Sequence, residues 1–124
     1  MELYRPVTTS EYKAIEAKSF AGFPRSEKGK QQMFTALLSE SGATEIARRM
    51  KTAPGDGDVI YLMRFMVDDA YIRQFPIQNA ESEERRAIWI AADEIDILNQ
   101  HIIGKISVVE SFRSDPMHSD TFFA

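Results

Sequence analysis

The 124-residue chain contains no cysteine. That excludes disulfides, thiolate nucleophiles and Cys-built zinc or iron–sulfur centres, and it accords with a cytoplasmic expectation. Histidine is scarce too. His101 and His118 lie too far apart for an HExxH metal helix, and no metal site is expected. No apolar run approaches the about 20 residues that cross a bilayer. The start, Met1-Glu2-Leu3-Tyr4-Arg5-Pro6, lacks the basic-then-apolar pattern of an export signal, so no membrane partner is expected. A formal net charge of -4 supplies no general attraction to nucleic acid.

What is present fits one core. Hydrophobic residues make up 44% and charged residues 27%, a globular balance, and two cores in so short a chain would each be poorly buried. The expectation is a single α+β domain over 1–112 with a tail over 113–124, either loose or packed on it. Its sheet, mixed or antiparallel, has four or five main strands beside three or four helices.

Leu3 to Val7 reads as a first strand, with Pro6 marking a sheet edge or strand end. Thr8 followed by Glu11 is a capping-box pattern opening a helix that Gly22 and Pro24 close. Gly22 to Lys30 is a polar loop, and Gln31 to Leu38 fits either helix or strand. Ser41 to Met50 reads as a helix with Ile46 and Met50 on one face; Pro54-Gly55-Asp56-Gly57 is a turn.

Val59 to Val67 alternates with apolar residues on both faces, as a central covered strand would. Arg64 interrupts one face and needs a carboxylate, a ligand or an exit to solvent. Asp68 and Asp69 cap a short helix. Arg86 to Ala91 is a strand carrying Trp89, whose simplest reading is packing and whose functional reading is stacking on a planar ligand. Ile95, Leu98 and Ile102 mark a helical stripe that Gly104 terminates, and Ile106 to Phe112 closes the domain as a strand. Asp93, Glu94 and Asp96 read as helix capping, and Arg85-Arg86 has Glu81, Glu83 and Glu84 as ready ion-pair partners.

Leu3-Tyr4-Arg5-Pro6-Val7, Phe23-Pro24, Tyr61-Leu62-Met63-Arg64-Phe65, Ala87-Ile88-Trp89-Ile90, Asn99-Gln100-His101-Ile102-Ile103-Gly104 and Ile106-Ser107-Val108-Val109-Glu110 together resemble a known group. It consists of small bacterial proteins labelled ADP-ribosylation/crystallin J1, and the resemblance covers about residues 3–112. It implies an ADP-ribosyltransferase-like α+β fold with NAD as substrate rather than resident cofactor, hence an NAD-dependent transferase if active. By the same resemblance Arg5 would touch the NAD phosphate or ribose. Tyr61 or Trp89 would border the nicotinamide, and Glu84 or Glu110 would supply the carboxylate. Apart from the resemblance, an early Arg and the charged interruption of an apolar strand lead to the expectation that Arg5, Arg64 and Trp89 lie within reach of one cleft. One departure stands at Arg86-Ala87-Ile88-Trp89, where the group often has Glu in place of Ala87. Alanine neither stabilises an oxocarbenium-like centre nor accepts a proton. Neither the Arg…Ser-Thr-Ser…Glu-x-Glu set nor the His-Tyr…Tyr…Glu set is complete. The other class of function is a protein-interaction module or small homodimer, with contacts from Phe23 and Phe122-Phe123.

Overall fold

The structure, a computed structural model, describes residues 1–24, 33–50 and 59–113. Among these residues six strands and four α-helices follow in order: β1 (Glu2–Thr8), α1 (Thr9–Ala17), β2 (Phe34–Leu37), α2 (Glu40–Arg49), β3 (Val59–Val67), α3 (Asp69–Ile72), β4 (Ile77–Gln78), β5 (Ala87–Ile90), α4 (Ile95–Gln100) and β6 (Ile102–Arg113), with 3-10 turns at Glu83–Arg85 and Ala92–Glu94. The strands form one antiparallel sheet in the order β4-β5-β2-β1-β3-β6. The α+β expectation holds. The sixth strand is the two-residue β4, too short to leave a period in the sequence.

Side-chain capping sets the starts of α1, α2 and α3. Thr8 accepts the amide of Glu11, Ser39 that of Gly42 and Asp68 that of Tyr71, each satisfying an otherwise orphaned first-turn donor. Helix α1 stops early because Ser19 and Phe20 both take positive φ, 58° and 61°. That turn carries Phe20 back so that its carbonyl accepts the Ile106 amide on the outer edge of β6.

Strand register assigns the faces. Leu3, Arg5 and Val7 lie opposite Phe65, Met63 and Tyr61 and share one face, the main face. It carries the larger core, in which Ile15, Phe23, Phe34, Phe65, Ile95 and Leu98 are buried together. Tyr4 and Pro6, opposite Arg64 and Leu62, share the other face. There α2 lays Ala43 onto a smaller cluster of Tyr4, Leu37, Leu62 and Ala87.

Several expectations give way. Within segment 31–38, for which the sequence leaves helix and strand both open, Phe34–Leu37 is the strand β2. Pro6 sits not at an edge but in β1, flanked by β2 and β3. Phe23, expected as a contact at the surface, is 0% exposed, and its amide and carbonyl are both held by the Asn99 side chain at 2.8 and 2.9 Å. Buried Ala43 and Ala47 face the sheet from α2, while Ile46 is exposed. Gly104 ends no helix. It lies inside β6 at φ 75°, where the pairing with β3 slips register between Arg64 and Met66. Residues 25–32, the 54–57 turn and the 114–124 tail with Phe122-Phe123 lie outside the described residues. Among the described residues no helix is long and apolar enough to cross a membrane.

Candidate functional site

Arg5 is the residue on which the nucleotide expectation turns. Its Nε donates to Glu11 Oε2 at 2.8 Å and its Nη2 to Glu11 Oε1 at 3.0 Å, a bidentate fork. Its Nη1 donates to the Thr35 carbonyl at 2.9 Å, and the guanidinium carbon stands 4.3 Å from the centre of the Phe34 ring. The pairing of Tyr4 with Leu37 places Pro6 opposite Thr35 when extended by two residues. Proline has no amide hydrogen to offer. Arg5 therefore supplies the donor that the β1–β2 ladder lacks at that carbonyl.

Glu11 completes the arrangement. The capping-box reading sends its carboxylate back to the helix cap, yet both oxygens are spent on Arg5 instead. The two side chains are 20% and 21% exposed, so the pair is shielded from solvent without being fully dry. A phosphate would have to displace charge-assisted hydrogen bonds worth about 1.5–3 kcal/mol each before screening. Arg5 is committed.

The other expected site residues are dispersed. Tyr61 shares the main face with Arg5, but its ring stacks on Tyr12 at 4.0 Å and 13°. Arg64 points from the opposite face and reaches solvent, with its Nε 3.6 Å from Glu2 Oε2. Trp89 pairs with Thr35 and so lies on that same opposite face, 44% exposed. Glu110 pairs with Leu62 on that face as well, but on β6. Four strand spacings separate β5 from β6, which puts about 19 Å between Trp89 and Glu110. The shared cleft for Arg5, Arg64 and Trp89 is thus corrected: side chains alternate along β1 and β3, and a register that pairs Arg5 with Met63 sends Arg64 through the other side.

Glu84 lies in the 3-10 turn before β5 and accepts a long 3.5 Å hydrogen bond from Ser41. With Glu40, Ser41, Thr44, Glu45 and Arg48 it lines an open depression of about 610 Å³. Three carboxylates against one guanidinium disfavour a phosphate there, and the Arg48 guanidinium lies 5.8 Å from the Phe112 ring. Ala87, at the position where a carboxylate was sought, is buried in the small cluster under α2. Among the described residues no group of three or more His, Asp or Glu side chains could hold a metal ion.

A separate polar cluster lies beneath α4. The Tyr71 hydroxyl donates to Glu94 Oε2 at 2.9 Å, and its ring stacks on His101 at 4.1 Å and 4°. Burial first, and then the Glu94 carboxylate, push the Tyr71 phenol far above its usual value near 10. The native state therefore keeps this proton where the unfolded chain releases it. Stability from this source is present below about pH 10 and is lost as pH rises beyond it. Denaturant melts from pH 8 to 11 should show a smaller alkaline loss in Tyr71→Phe than in wild type. Tyr4 and Tyr12 shift in the same direction, so some loss remains. Equal slopes for the two proteins would contradict this assignment.

Sequence reading missed Phe34, Thr35, Asn99 and Gly42 as organising residues, and it assigned the Glu11 carboxylate to the helix cap rather than to Arg5. For Glu11 a signal existed: a carboxylate one helical turn past Thr8 and six residues past Arg5. No family model, curated protein or solved structure matches the chain.

Proposed function

We propose that this chain is a protein-interaction module whose contact centres on Trp89, and that it works without transferring ADP-ribose. The observation that carries the reading is the indole itself: a large ring, 44% exposed, on the sheet face where Tyr4, Leu37, Leu62 and Ala87 are covered by α2. Tryptophan is the side chain that most often anchors a protein interface, because it buries a large rigid area at low entropic cost. The resemblance to ADP-ribosylation/crystallin J1 proteins then describes a scaffold, on which Arg5 serves the β1–β2 ladder and Ala87 serves the packing beneath α2. The NAD-dependent transferase reading draws little support, since among the described residues Arg5 and the two carboxylates Glu84 and Glu110 do not converge.

The test uses Trp89→Ser against Ile97→Ser, a comparably exposed apolar residue on α4 at 42%. Partners captured with wild type are purified and titrated one at a time. Trp89→Ser should weaken a true partner at least about tenfold, equivalent to about 1.4 kcal/mol. Ile97→Ser should leave that affinity within a factor of two or so. Equal binding by wild type and Trp89→Ser would remove the reading.

A further inference from the structure

Helix α2 covers its face of the sheet only in part. Beyond it, where β1 begins and β3 ends, Glu2, Met66 and Ile103 form one cross-strand row, with Arg64 in the next. Met66 is 40% exposed and Ile103 57% exposed, and this pair is apolar. Glu2 and Arg64 are 45% exposed and lie 3.6 Å apart.

The neighbouring edge of β6 is a poor place for a partner strand. Phe20 takes the Ile106 amide, Lys105 Nζ donates to the Ser19 carbonyl, and the strand is kinked at Gly104. Bulges and covered amides of this kind block edge-to-edge pairing. A partner must therefore arrive face on.

We infer that this uncovered half-face binds a second copy of the chain across a two-fold axis. An isologous contact requires one patch to complement itself. A cation and an anion side by side, next to an apolar pair, meet that requirement: Arg64 of each copy faces Glu2 of the other, and Met66 and Ile103 pack at the centre. Exchanging the existing pair for intermolecular ones costs little, because an ion pair this exposed contributes little by itself. A foreign partner would need none of this internal symmetry. The patch offers two apolar side chains and one ion pair, so the dimer is weak and concentration-dependent.

Sedimentation velocity over a hundredfold concentration range should show wild type moving from one chain mass toward two. Ile103→Asp should weaken association at least tenfold while keeping the wild-type circular dichroism spectrum, since Ile103 is outside both cores. Arg64→Glu and Glu2→Lys should each weaken self-association, and their equimolar mixture should regain it as a heterodimer. Trp89→Ser should dimerise as wild type does, which separates this surface from the one centred on the indole. A wild type that stays monomeric at all concentrations would overturn the inference. So would an Ile103→Asp variant that associates unchanged, or a mixture that associates no better than its components.

Discussion

Gly42→Ala should destabilise the protein by about 3 kcal/mol, lowering the thermal midpoint by about 10 °C. Helix propensity alone argues the reverse, since alanine improves on glycine in a helix by about 1 kcal/mol. Space decides the sign. A Cβ at residue 42 would stand 1.7 Å from the Glu84 carbonyl oxygen and 2.8 Å from its carbon. Both are backbone atoms, so no flexible side chain can swing aside; α2 or the turn before β5 must move bodily. Such a shift opens the packing of Ala43 over Leu37 and Ala87. Denaturant and thermal melts of the two proteins measure it, and an alanine variant as stable as wild type would contradict the packing described.

Phe23→Ala should cost about 3–5 kcal/mol, a large share of the about 5–15 kcal/mol that holds a domain of this size. The ring is 0% exposed, and Phe34 and Phe65 lie against it edge-on at 4.9 and 4.8 Å. Removing it empties the place where α1's exit segment meets β2 and β3. Phe23→Leu, which keeps most of the volume, should cost clearly less. If Phe23→Ala unfolds at the wild-type urea midpoint, Phe23 is not where the structure puts it. By contrast Trp89→Ser should change stability by no more than about 0.5 kcal/mol, because its ring is already half in water.

The strands that pack on both sides were the legible part of the chain. Alternation in Val59–Val67, in Ala87–Ile90 and in the later half of β6 reports a two-residue period directly. The Thr8 cap was readable because a hydroxyl three residues ahead of an amide acts locally. Phe23 was not. It lies among Gly22, Pro24 and polar residues whose composition says loop, and only the distant Asn99 shows that the backbone there is clamped. Phe34-Thr35-Ala36-Leu37 carries apolar residues on both sides, so its period was ambiguous until β1 and β5 paired with it.

The candidate site failed at a different level. By sequence Arg64 looks like a charge in search of a partner and the resemblance assigns Arg5 to a phosphate, yet each is already paired, Arg64 with Glu2 and Arg5 with Glu11. Which face each charge occupies depends on inter-strand register, a long-range property that neither residue's neighbours encode. Pro6 held the missing clue. A proline inside a central strand leaves a facing carbonyl without its donor, and the arginine beside it fills that need.

The most direct measurement is a calorimetric titration of the wild-type protein with NAD. With the Arg5 guanidinium held by Glu11, Phe34 and Thr35, no saturable heat should appear up to millimolar dinucleotide, and Arg5→Lys should give the same flat trace. One-to-one binding that disappears in Arg5→Lys would show that this guanidinium is free to meet a phosphate, and the account would be wrong.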